Sequence, residues 1–330
     1  PMYVLERGMH SKWLAILFAA FTAIAAFGIG NMVQANSVST LLKDTFMIPT
    51  WMSGAAMTVL TAFVILGGVQ SISLVCTLMV PFMAIFYVTG CIILLLFNMH
   101  SIPHTIYVIC SSAFTGQAAI GGFLGAGVRE AIRYGLARGL FSNESGLGSA
   151  PIVAAAARTK NPIQQALVSS TGTFWDTVVV CAMTGLVIVN SGAWTKGLGA
   201  AALSKTAFSA IPVAGPFILT IGLLIFVFST IIGWSYYGEK AVEYLLGIKA
   251  VTPYRWLWVA SVMVGSVAAL PIVWTFADVA NALMAIPNLI SLIALNGVIV
   301  AETHRHLFIP VSKAKAKRHR RRMDARSPKH

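Results

Sequence analysis

Ser229 and Thr230 are adjacent hydroxyls in the otherwise apolar run 226–234, and Trp234 lies one helical turn beyond Thr230 on the same face. Hydroxyl oxygens suit a hard cation, and an indole one turn away can wall off a small ligand. The same hydroxyls can instead bond back to their own helix, the commoner use of Ser and Thr inside a membrane. A second polar band, 27–36, sets Asn31 and Gln34 three residues apart, so a helix would place them on one face, with Gly28 and Gly30 opening space nearby. Two amides at membrane depth can bond a neighbouring helix or wall a cavity, and the paired glycines favour the cavity. Asp176 stands near the middle of another apolar run, where a carboxylate must be paired, protonated or facing water. That fits a helix contact and a cation pathway equally. Asp278 and Asn281, three apart near the end of the apolar sequence, read as polar glue between helices or a gate, with glue favoured.

The stretch 114–156 has to position much of this chemistry. It begins apolar and glycine-laden, acquires Arg129, Glu130, Arg133 and Arg138, and ends in the polar turn Ser142–Asn143–Glu144–Ser145–Gly146. Gly121, Gly122, Gly125 and Gly127 each cost a helix interior about 1 kcal/mol against alanine. Backbone freed at membrane depth needs partners in protein or a water-lined cavity, and secondary carriers put substrate and ions beside such broken helices. Close helix packing through Gly121 and Gly125, a small-xxx-small pair, explains the glycines as well.

Composition places these residues in a membrane. The 330 residues are 57% hydrophobic and 10% charged, with a mean hydropathy of +0.80, the pattern of an all-α integral membrane protein. No period-2 alternation recurs, which argues against a β-barrel. Apolar runs fall at 13–42, 51–68, 71–98, the broken stretch 114–156, 162–190, 212–236, 254–269 and 272–300, eight spans in all, with Pro81 expected to kink the third. Residues 101–110 and 191–211 read as outside connections. With the first span entering from the cytoplasm, only Lys43, Lys196 and Lys205 lie outside, and the other 20 of 23 basic residues lie inside. The expected location is therefore a cell inner membrane, multi-pass, with both ends cytoplasmic. Ten of the Lys and Arg residues fall between Arg305 and Lys329, so 304–330 reads as a disordered basic tail facing lipid headgroups rather than RNA. Cys76, Cys91, Cys110 and Cys181 show no CxxC spacing, so neither disulfide nor zinc is expected. No nucleophile–base pair stands out and none of the seven His lies deep in an apolar run, so an enzyme is not expected. The chain opens on Pro1 without a basic n-region or cleavage site, and reads as starting inside a longer protein.

The run 139–189, GLFSNESGLGSAPIVAAAARTKNPIQQALVSSTGTFWDTVVVCAMTGLVIV, together with FGIGNMVQAN at 27–36, resembles the alanine or glycine:cation symporter family over essentially all of 1–303. The resemblance implies a LeuT-type bundle of eleven spans, the last ten forming two inverted five-helix repeats. Eight of those would be present here, as a transporter domain at 1–303 lacking its first three spans. The absent second span is the unwound helix expected to grip the substrate's carboxylate and amino group. The resemblance assigns Gly30, Gln34, Thr230 and Trp234 to the substrate, and the Phe226 carbonyl with Ser229 and Thr230 to sodium. It implies sodium-coupled symport of a small neutral amino acid, alanine or glycine, by alternating access, with sodium as coupling ion and no cofactor. A proton-coupled carrier or a channel is the alternative, with Asp176 and Asp278 as its relay candidates.

Overall fold

Backbone polar groups in hydrocarbon have to be satisfied within their own segment, and every regular element among the described residues of the computed structural model is helical. The structure describes residues 1–114, 126–198, 200–212 and 214–308. The first rod combines α1 (Lys12–Ala25), a π-helical segment (Ala26–Met32) and α2 (Val33–Phe46). Then come α3 (Thr50–Leu66), α4 (Gly68–Phe97), α5 (Ile102–Phe114), α6 (Ala126–Ser142) and the short α7 (Ala150–Ala154). A second composite rod joins α8 (Pro162–Thr173), a second π segment (Phe174–Cys181) and α9 (Ala182–Asn190). It is followed by α10 (Ala200–Phe208), α11 (Ala214–Leu246), α12 (Val251–Val267), α13 (Leu270–Ala294) and α14 (Asn296–Thr303).

Among the described residues, five rods are long and apolar enough to cross a bilayer: Lys12–Phe46, Gly68–Phe97, Pro162–Asn190, Ala214–Leu246 and Pro271–Ala294. The helices α3 and α12, at 17 residues each, stop just short of the roughly 20 that a perpendicular crossing takes. Large apolar side chains such as Phe63, Leu78, Ile85 and Phe97 face outward, which water would penalise and lipid accepts.

The first rod is the centre of the bundle. Its α1 packs on α11 and α13, its π segment on α11, α12 and α13, and its α2 on α3, α11 and α12. Phe18, Ile29, Val33 and Val38 join Trp234 and Trp258 in one buried cluster. Gly28 lets α13 approach: a Cβ there would lie 2.9 Å from the Ala277 Cα. A second cluster gathers Tyr87 and Cys91 of α4, Phe208 of α10 and Leu219 of α11. At the far end of α11, Arg255 of α12 makes a two-pronged ion pair with the buried Glu239, at 2.7 and 2.8 Å.

Several expectations need correction. Residues 102–114 and 200–208 are helical, not open connections. Helix α10 is fixed by Ala207 and Phe208, both buried in the second cluster. Gly121, Gly122, Gly125 and the tail beyond Phe308 lie outside the described residues. Helical order continues into the start of the basic segment, as a π turn at His304–Phe308.

Candidate functional site

The break between α6 and α7 is the polar turn 143–149. Gly146 and Gly148 there have φ of +91° and +97°, a region that any side chain would strain. At Gly148 the space is also taken, since a Cβ would sit 2.6 Å from Phe18 and 2.9 Å from Asn288. Asn143 closes the turn by accepting from the Ser145 N–H at 2.9 Å, and Asn288 of α13 donates to the Gly146 carbonyl at 2.8 Å. The polar side chains at the turn then meet the second π segment and the end of α8. Asn143 donates to the Thr177 hydroxyl at 2.8 Å, the hydroxyls of Ser145 and Thr173 lie 2.9 Å apart, and Ser142 donates to Asp176 at 3.0 Å. The two halves of the 139–189 motif are therefore bonded to each other.

A cavity of about 490 Å³ lies between the first rod, this turn, the second π segment and α11. Small-molecule sites typically span about 300–1,000 Å³. Gln34, Phe226, Thr230 and Trp234 line it, together with Asp176 and Glu144. Gln34 donates to the Ile29 carbonyl at 3.0 Å, inside the π segment whose winding leaves carbonyls to be satisfied. On α11 both hydroxyls donate to one carbonyl, that of Phe226: Ser229 at 2.9 Å and Thr230 at 2.8 Å. The back-bonding use of these residues is thus present, and it also gathers three oxygens at one point. Ser229 is buried, turned toward the Met83 sulfur at 3.7 Å, and is not on the cavity wall. Gly30 stands behind the wall, against Trp234: a Cβ there would lie 2.2 Å from the Trp234 Cβ.

Asn31 does not share the face of Gln34. It is fully buried and donates to the Trp258 carbonyl of α12 at 2.8 Å. The π winding between the two amides breaks the three-residue register that an α-helix would keep. Asp278 and Asn281 act as the expected glue. Asp278 pairs with Arg138 of α6, and Asn281 donates to the Leu140 carbonyl at 3.4 Å. The Arg138 guanidinium also lies 4.3 Å from the Trp274 ring centre and 5.3 Å from that of Phe141, two residues of the cavity wall.

Glu144 is the lining residue that the sequence left without a role. It is half-buried in the turn and accepts from the Ser149 hydroxyl at 2.8 Å. The available signal was an ionisable side chain between two apolar runs. Among the described residues lining the cavity there are two carboxylates and no Lys, Arg or His. Such a wall favours a cation, a proton or an ammonium group.

Interrupted helices meeting at a polar cavity inside an apolar bundle define a membrane carrier. The chain belongs to the sodium:alanine symporter family, whose pattern it matches over residues 1–321. This is a family of transporters, not enzymes, and its coupling ion is sodium. Over 311 residues the chain is 48% identical to the sodium/alanine symporter AgcS of Methanococcus maripaludis, covering 92% of this chain and 68% of that protein. It is also 48% identical over 307 residues to an uncharacterized transporter of Haemophilus influenzae, covering 92% and 67%. A probable sodium/glutamine symporter, GlnT of Bacillus subtilis, is 33% identical over 302 residues, covering 91% and 62%. The chain spans about two thirds of the length of these relatives.

Proposed function

We propose that this protein couples inward sodium movement to uptake of a small neutral amino acid, alanine or glycine, by alternating access in a LeuT-type bundle. The supporting observation is that Gln34, Phe226, Thr230 and Trp234 all line one cavity. In this reading the Gln34 amide and the Thr230 hydroxyl address the zwitterion, and Trp234, backed by Gly30, walls off its small side chain. Sodium takes the Phe226 carbonyl with the Ser229 and Thr230 hydroxyls, whose lone pairs can serve a cation once they turn from donating to that carbonyl. A cavity with two carboxylates gains from the sodium charge, which suits a zwitterion entering together with a cation. The distribution of basic residues, 20 of 23 on one side, supports an inner-membrane location with both ends cytoplasmic and a basic tail from 304 onward. The relatives AgcS and GlnT, named for alanine and glutamine, support a neutral amino acid as substrate.

A proton-coupled carrier is the second reading, favoured by Asp176 and Glu144 facing the same cavity. Uptake of labelled alanine by the full-length protein in proteoliposomes separates the two. An inward sodium gradient at equal pH should drive accumulation, and a proton gradient without sodium should not. Accumulation driven by protons alone would overturn sodium coupling.

A further inference from the structure

We propose that the Tyr87 hydroxyl is a positioning group for sodium coupling. Through Thr184 it sets the spacing between the rod that carries Asp176 and the helix that carries Phe226, Ser229 and Thr230. The inference rests on those last three residues being cation ligands. Helix α4 turns large apolar side chains such as Leu78 and Ile85 outward, and its inner strip is Met83, Tyr87, Cys91 and Leu94. Tyr87 is the member of that strip with a hydroxyl, and it is 6% exposed. A phenol so buried needs a partner. The Tyr87 and Thr184 oxygens lie 2.8 Å apart. Thr184 gives its own hydrogen to the Val180 carbonyl at 2.8 Å, so the hydrogen between the two hydroxyls belongs to Tyr87. The chain from Tyr87 through Thr184 ends on the second π segment, whose winding leaves carbonyls to be satisfied. All three residues line the cavity.

The ring of Tyr87 meets α11. A Cβ at Gly222 would lie 2.9 Å from the ring Cδ2, so glycine lets the ring seat there. One turn further, the Phe226 ring meets it edge-on, with centroids 5.5 Å apart and planes at 86°. Phe208 of α10 stands on another side, at 5.9 Å. One turn earlier on α4, Met83 meets the Ser229 hydroxyl at 3.7 Å. Met83 and Tyr87 therefore bracket the turn of α11 where the Phe226 carbonyl gathers the Ser229 and Thr230 hydroxyls. Both α9 and α11 pack on α4 and α10, and the phenol touches both. Phenylalanine would fill the same space against Gly222, Phe226 and Phe208. What it would lack is the bond to Thr184, so the hydroxyl contributes spacing rather than packing.

That spacing matters to a cation. Helix α11 offers three oxygens of the about five or six that a hard cation takes, so the others come from elements facing it. Asp176 lies on the rod of Thr184, about two turns earlier, and faces the same cavity. Freeing α11 from that rod should weaken sodium binding first, and alanine binding through it, because the coupling is reciprocal.

Sodium titrations of alanine binding in the full-length protein test this with Tyr87→Phe, Thr184→Val and Thr184→Ser. Tyr87→Phe and Thr184→Val should each raise half-saturating sodium about fivefold, the effect of losing one hydrogen bond. The double variant should be no worse than Thr184→Val alone, since both changes break the same link. Thr184→Ser keeps the hydroxyl and should follow the unaltered protein. A lowered Tm in Tyr87→Phe with the sodium curve in place would show a purely structural role and overturn the proposal. Effects that add in the double variant overturn it as well, because the two hydroxyls would then act separately. Ser229→Ala, measured alongside, separates this proposal from the reading beneath it. A curve moved by Ser229→Ala and left in place by Tyr87→Phe overturns the positioning role alone, and a curve moved by neither overturns the cation site on α11 together with it.

Discussion

Gly30→Ala tests the cavity wall from behind. The new Cβ would lie 2.2 Å from the Trp234 Cβ, 2.4 Å from its Cγ and 2.9 Å from its Cδ2. Carbon atoms rest at about 3.5–4.0 Å, so one side must move by more than an ångström. Gly30 cannot retreat, since its π segment is wedged between α11, α12 and α13. Trp234 can move only toward the open side, into the cavity. Overpacking of this kind costs about 1–3 kcal/mol, and bound alanine would have to push the ring back against it. At 1.4 kcal/mol per decade, that predicts alanine binding weaker by about 5- to 150-fold. Calorimetric titration at saturating sodium measures this, with thermal unfolding as the control for folding. Alanine affinity within about twofold of the unaltered protein, at unchanged Tm, would refute the placement of Trp234 as a substrate wall.

Three further substitutions probe other parts of the account. Gln34→Ala removes a cavity amide and its bond to the Ile29 carbonyl, a bond contributing about 0.5–1.5 kcal/mol, so stability should barely change while the apparent KM for alanine rises. Unchanged transport kinetics would return Gln34 to a purely structural role. Arg255→Met leaves Glu239 buried without its partner and should destabilise the protein by about 3 kcal/mol, read as a lowered Tm in detergent. A Tm equal to that of the unaltered protein would show that water or another donor satisfies Glu239. Asp278→Asn breaks a half-exposed pair contributing about 1 kcal/mol or less, yet frees Arg138 from its place over Trp274. Alanine should then dissociate faster in stopped-flow while Tm hardly moves, and an unchanged off-rate would show that Arg138 does not hold Trp274 in place on the cavity wall.

What the sequence disclosed and what it concealed follow from where each signal resides. Phe226, Thr230 and Trp234 are spaced at four-residue intervals, so an unbroken α11 puts them on one face, and all three line the cavity. Ser229 is one position off that stripe, and the same geometry turns it toward Met83. The pairing of Asn31 with Gln34 failed because it assumed α-helical winding. A π segment leaves no mark in hydrophobic periodicity, and only the structure reveals its rotation of Asn31 toward Trp258. Glu144 was visible as an acid among apolar neighbours, but its place on the cavity wall with Asp176 and Trp234 depends on elements far along the chain. The glycine-rich run before that turn suggested a broken helix; Gly121, Gly122 and Gly125 lie outside the described residues, and the break described lies at 143–149, where Gly146 and Gly148 supply the positive φ. Helix α10 went unread because its stabilising contacts are the tertiary ones of Ala207 and Phe208.

Sodium coupling on α11 is tested most directly by alanine binding measured against sodium concentration in Ser229→Ala and Thr230→Ala. A hard cation needs about five or six oxygens, and loss of one hydroxyl leaves a gap that water only partly fills. Ser229 is off the cavity wall, so its removal should move only the sodium requirement, raising half-saturating sodium by about tenfold while alanine affinity recovers at saturation. Thr230 faces the cavity as well, so alanine affinity in Thr230→Ala should stay low however much sodium is added. A sodium curve left in place by Ser229→Ala would contradict the account and move the cation site off this helix.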